Sequence, residues 1–183
     1  MTVDDAALLF GFIPARLTGS VVVSGAVPAF LTPLSATIAH AGPLHLLINL
    51  IMLAWCGNWV ERGLGARSLV ILFALGAFAA AFAQWAVDPN SIIPMIGASG
   101  AVSAVVGAFA LSYGKPKRLV ASPRINRAIN ALWLLIAWVV LQLMTGYAAG
   151  MQGVLLATPA HVGGFVLGLA LQRPLLLWRY RGA

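Results

Sequence analysis

Hydrophobic positions dominate the chain from residue 44 onward and fall into five long apolar runs, at 44–60, 68–87, 95–113, 129–149 and 154–177. Each approaches the ~20 residues that a helix needs to cross a bilayer, and the polar breaks between them are short, as in a compact bundle. The pattern predicts five spanning helices. Residues 1–43 are also apolar but are interrupted by Pro14, Arg16, Pro28 and Pro33. Neither a spanning helix nor a signal peptide fits there, since Asp4 and Asp5 stand where a basic leader would begin. The segment is expected to lie in the membrane interface or to cap the bundle, with its backbone polar groups bonded to protein or water.

Composition supports a membrane protein: 61% of the 183 residues are hydrophobic, 8% are charged, and mean hydropathy is +0.96. The net charge of +7 does not indicate nucleic acid, because the basic residues fall only between apolar runs. They read as topology signals. Arg62 and Arg67 follow the first run, Lys115, Lys117, Arg118, Arg124 and Arg127 the third, and Arg173, Arg179 and Arg181 the last. Ten basic residues on one side, against Arg16 on the other, predict an external residue 1–43 region, external turns near Asp88–Asn90 and Gly150–Gly153, and a cytoplasmic C-terminus. Cys56, the single cysteine, lies within an apolar run and reads as a packed thiol.

Three polar residues inside the runs fall at similar depth. At ~1.5 Å per residue, Ser99 lies roughly 24 Å from Lys115, His45 roughly 24 Å from Glu61 and His161 roughly 18 Å from Arg173, all in the outer half of a core ~30 Å thick. Ser99 sits between glycines in Gly97-Ala98-Ser99-Gly100, where a polar loop enters an apolar helix. A serine hydroxyl needs a base to act as a nucleophile, and His161 is the best-placed one. Asp4, Asp5, Glu61 and Asp88 are poorly placed to complete a triad, so the pattern predicts a Ser–His dyad whose ring is held by packing or a backbone group.

His45 and Asn49, spaced i, i+4, share a helix face and can donate toward an oxyanion, together with the backbone N–H groups of Ser99 and Ala98. Gly100 and Gly107 on the serine helix, and Ala160, Gly164 and Gly168 on the histidine helix, predict close packing that brings the dyad together. From Ser99 to Gly114 a helix reaches only about 22 Å, so its start must lie below the outer surface and be reached by water. Nothing in the pattern calls for a metal or another cofactor. A transporter or channel would carry polar residues through the full depth of several helices, whereas here they stop midway.

The ordered set of His40, Pro43-Leu44-His45-Leu46-Leu47-Ile48-Asn49, Glu61 with Gly65, Gly97-Ala98-Ser99-Gly100 with Gly107, and Ala160-His161 with Gly164 and Gly168 resembles the rhomboid family of intramembrane serine proteases. The resemblance implies an all-α polytopic bundle with an external or interfacial region at 1–43, a catalytic domain at 44–178 and a cytoplasmic tail at 179–183. It implies Ser99 as nucleophile, His161 as general base, and His45, Asn49 and the Ser99 amide as the oxyanion site. The expected partners are the lipid bilayer and the transmembrane segments of other proteins, cut near their outer ends, in the plasma (inner) membrane of a bacterium. Glu61 is expected to tie a helix end to the cytoplasmic loop, and Gln84 is a candidate for holding catalytic water.

Two departures accompany the resemblance. Members of the family usually have a spanning helix before the stretch that resembles Phe12-Ile13-Pro14 here, which is read as a shortened sequence or as a five-helix core walled by residues 6–31. Ser103 stands where some members carry a tyrosine stacked on the base, leaving Trp138 or a loop to hold the His161 ring. The competing class is a noncatalytic member of the same fold that binds client helices as a scaffold.

Overall fold

A computed structural model of the chain describes residues 1–114, 119–151 and 157–181. Lys115, Lys117 and Arg118, and Gln152 and Gly153 of the turn expected at Gly150–Gly153, lie outside the described residues. In chain order the helices are α1 (Val3–Phe10), α2 (Pro14–Leu17), a 3-10 turn at Ala29–Leu31, α3 (Thr32–Ser35), α4 (Pro43–Leu64), α5 (Ala66–Val87), α6 (Ser99–Tyr113), α7 (Pro123–Gly150) and α8 (Thr158–Arg179). Among the described residues four helices, α4, α5, α7 and α8, are long and apolar enough to cross a membrane. The third predicted span, 95–113, is shorter than expected. Its helix, α6, starts at Ser99 rather than 95 and has 15 residues, about 22 Å of rise.

Local sequence explains several boundaries. Pro43 and Pro159 occupy the first turns of α4 and α8, where a missing N–H costs no helical hydrogen bond. Gly65 ends α4 and begins α5 with φ +92°, a conformation that suits glycine and allows the chain to reverse without a longer loop.

The short helix is the centre of the bundle. Residues Gly100 to Ala108 of α6 are all buried, as expected for a helix that is apolar all round and surrounded by others. It packs against α4, α5 and α8, with Val60, Leu72, Val105 and Phe165 among the most buried side chains. Outward-facing positions remain strongly apolar: Leu47, Ile51, Trp55, Val70, Phe82, Leu132 and Trp133 are exposed, whereas Asn49, Ser103, Gln142 and Gln172 are buried. Such a surface suits lipid, with polar groups kept inside where they can pair.

The N-terminal segment caps one end of this bundle. Phe12 and Met95 exchange backbone hydrogen bonds of 2.9 and 2.8 Å, and Ala15 N–H donates to Ser91 at 3.0 Å. Phe12 is buried with Ala36 and Ala81, beside Trp85 and Met95. The expectation of partnered backbone in this broken apolar stretch therefore holds at those residues. Their contacts run to α5 and to the loop before α6, so the segment braces the loop that delivers Ser99.

Candidate active site

Three helices begin at the same end of the bundle and bring their first turns together. His45 lies in the first turn of α4, Ser99 opens α6, and His161 lies in the first turn of α8. Ser99 Oγ is 2.7 Å from His161 Nε2, although 62 positions separate them. The approach depends on bare backbone. A Cβ at Gly164 would collide with the carbonyl oxygen of Gly100, and one at Gly168 with that of Ala104. Gly107 likewise meets the carbonyl of Phe165, whereas Gly100 faces Ala80 of α5, where a Cβ would come within 2.5 Å of the alanine methyl. Gly76 and Gly163, which the residue pattern did not single out, serve the same purpose between α5 and its neighbours.

The loop before α6 presses on His45. Gly97 has φ +110°, and a Cβ there would lie 2.5 Å from His45 Cε1 and 2.8 Å from its Nε2. Its N–H donates to Ala36 at 2.8 Å, which fixes the loop against α3. His45 Nδ1 accepts from Ala41 N–H at 3.3 Å. A neutral imidazole that accepts at Nδ1 carries its proton at Nε2, the nitrogen beside Gly97.

The other expected donors have specific partners. Asn49 is buried, and its Nδ2 donates to the carbonyl of His45, one turn back, at 2.9 Å; an amide nitrogen has two protons, and this bond uses one. Ala98 N–H points to His40 Nε2 at 3.5 Å, and the His40 and His45 rings meet edge-on at 5.1 Å. Ser99 N–H lies at the start of α6, where the first amides have no partner within the helix.

Ser103 and Trp138 play different parts from a ring stacked on His161. Ser103 Oγ donates to the carbonyl of Ser99 at 2.7 Å. Trp138 stacks on Phe165, with ring centroids 4.8 Å apart and an interplanar angle of 8°, and its indole N–H donates to the carbonyl of His161 at 3.3 Å. The residue that meets the His161 ring is one sequence reasoning missed: Gln142 Oε1 lies 2.7 Å from Nδ1. Its only sequence signal is an amide inside an apolar helix, four positions after Trp138.

Gln84 Oε1 is buried and makes no hydrogen bond among the described residues. A small cleft adjoins Ser99 and is lined by small side chains including Ala36, Ala77, Ala80 and Ala160, with Met95 at its side. At the opposite end, Glu61 acts through its carbonyl, which accepts from Gly65 N–H at 2.8 Å and from Arg179 Nη1 at 2.9 Å. Where a tie from this helix end to the cytoplasmic loop was expected of Glu61, the backbone carbonyl bonds to Gly65 at the turn and to Arg179 of α8. No cluster of three or more metal-ligating side chains occurs among the described residues.

An apolar-surfaced helical bundle with this order of residues defines a multi-pass integral membrane protein of the rhomboid type. The model of the Rhomboid domain matches residues 28–178, and the chain belongs to the rhomboid family. It is similar to Rhomboid protease GlpG of Serratia proteamaculans (strain 568), 33% identical over 136 residues, and to that of Yersinia pestis (strain Pestoides F), 31% identical over 136 residues. Each alignment covers 74% of this chain and 44% of the relative, so the chain spans less than half the length of these curated relatives.

Proposed function

We propose that the chain is the catalytic core of an intramembrane serine endopeptidase. The observation that carries this reading is the 2.7 Å contact between Ser99 Oγ and His161 Nε2, part-buried where two apolar helices begin. In this reading His161 Nε2 takes the hydroxyl proton as Ser99 Oγ attacks a peptide carbonyl, then returns it to the leaving amine. Water hydrolyses the acyl-enzyme with the same histidine as base.

Charge developing on the carbonyl oxygen is met by donors in a site of low dielectric. Ser99 N–H, His45 Nε2–H and the second Asn49 proton form this set, and one such donor is worth about 3–4 kcal/mol in transition-state stabilisation. The partial positive end of α6 adds to it. Ala98 N–H would join only by leaving His40, and Gln84 would hold the attacking water through its buried Oε1.

The substrate in this reading is the transmembrane segment of another protein, unwound near its outer end. The small-residue lining beside Ser99 supports a small side chain next to the cut. The distribution of basic residues supports a cytoplasmic C-terminus, and the relatives' bacterial sources support the inner membrane of a bacterium.

The test uses purified wild type, Ser99→Ala and His161→Ala in liposomes, with a model transmembrane substrate and a serine-directed fluorophosphonate. Wild type should cleave and label, and both variants should do neither. Folded wild type that fails on both counts overturns the protease reading; if it still binds the substrate helix, the scaffold class replaces it.

A further inference from the structure

Both ring nitrogens of His161 are engaged: Nε2 with Ser99 Oγ and Nδ1 with Gln142 Oε1, each at 2.7 Å. A neutral imidazole has one N–H, so only two proton arrangements satisfy both contacts. In one, Nδ1–H donates to the amide oxygen and the serine hydroxyl donates to a bare Nε2. In the other, the amide is turned over so that its NH2 donates to Nδ1, and Nε2–H points at the serine. Only the first leaves a lone pair where a base needs it.

The structure turns the amide oxygen toward the ring. We propose that Gln142 is a positioning residue that holds His161 as its Nδ1–H tautomer, keeping Nε2 bare toward Ser99. This rests on the reading of His161 as general base and deepens it.

Two observations support the assignment. Gln142 is 7% exposed, which excludes competition from bulk water at its amide. Trp138, one turn earlier on the same face of α7, donates to the His161 carbonyl and stacks on Phe165, so α7 is registered against both the ring and the backbone of this residue. The orienting part given to a carboxylate in a Ser-His-Asp triad is taken here by a neutral acceptor on a third helix.

The test compares wild type, Gln142→Leu and Gln142→Glu for kcat and KM, with nitrogen-15 NMR of labelled histidine, the His161 signals being assigned by their loss in His161→Ala. The leucine variant should lose about 10- to 100-fold in kcat, a part of the ~10²–10⁴-fold that a positioned base contributes, with KM within about twofold. The glutamate variant keeps an acceptor and should recover kcat to within about fivefold of wild type. Wild-type His161 should show a protonated Nδ1 and a bare Nε2, and the leucine variant should lose that preference.

An Nε2–H tautomer in wild type overturns the proposal. So does a glutamate variant as slow as leucine, or a leucine variant unchanged in both readouts. Should wild type prove folded but inert, the base reading falls while the spectrum still decides the tautomer; should the leucine variant not fold, the wild-type spectrum and the glutamate variant decide.

Discussion

Gly164 packs its bare Cα against the carbonyl oxygen of Gly100, and this contact sets the distance between α6 and α8 one turn from the Ser99–His161 pair. Since a methyl group has no room there, Gly164→Ala must separate the helices. Inserting a carbon into a packed interior costs about 1–3 kcal/mol. The variant should melt several degrees lower in detergent and lose cleavage by more than about 100-fold, because misplacement by ~1 Å alone can cost that much. Gly168→Ala, one turn deeper, should lower the melting temperature by a similar amount and cut activity less. Equal activity losses in the two variants would argue against local control of the dyad distance.

Gly97→Ala acts on the other side of the serine. The added Cβ meets the His45 ring, and φ +110° is unfavourable for a residue with a side chain. Strain of about 1–3 kcal/mol and a displaced ring are expected. Cleavage should fall by at least about 100-fold, as for loss of an oxyanion donor, while circular dichroism remains helical. Unchanged kcat would remove His45 from the proposed oxyanion site.

Asn49→Ala separates catalysis from structure at one residue. Its Nδ2 contact runs to a carbonyl within the same helix, so the loss of that bond should cost only about 1 kcal/mol. The proposed second bond forms only as charge develops, so kcat should drop about 10²–10³-fold with little change in KM. A variant that loses stability and affinity together, with kcat retained, would assign Asn49 to packing.

A polar chain at the far end of the bundle predicts the opposite division. Arg127 Nη2 donates to Gln172 Oε1, and Gln172 Nε2 donates to Ser112 Oγ at 2.9 Å, joining α7, α8 and α6. Gln172 is buried. Gln172→Leu takes the acceptor from Arg127 and the donor from Ser112 Oγ, which keeps its own bond to the Ala108 carbonyl at 2.8 Å, and should destabilise by about 1–3 kcal/mol. Thermal unfolding should show the loss, and cleavage per folded molecule at a permissive temperature should stay within about twofold of wild type.

For orientation, a reporter fused after Arg181 should be active only in its cytoplasmic form. An external signal would reverse the topology inferred from the basic residues.

The sequence by itself determined the apolar stretches, the broken cap before them, and the order of His45, Asn49, Ser99 and His161. Hydropathy sums along a continuous segment and needs no knowledge of neighbours, so α4, α5 and α8 emerge close to their expected positions. The glycines facing α6 from α8 were legible too, because four-residue spacing places Ala160, Gly164 and Gly168 on one stripe. The start of α6 was not. The apolar residues at 95–98 look helical by composition, but Met95 bonds to Phe12 and Gly97 to Ala36, and those distant partners keep the loop out of the helix until Ser99.

Only the tertiary structure decided which nitrogens are free and which are taken. Asn49 turns one proton back to its own helix, Ala41 fixes the His45 tautomer, and Gln142 reaches His161 from α7. Each successive side chain points ~100° further around a helix. Whether an isolated amide such as Gln142 meets lipid or an imidazole therefore depends on how that helix is rotated against its neighbours. Local composition carries no record of that rotation, whereas the packing of Trp138 on Phe165 sets it.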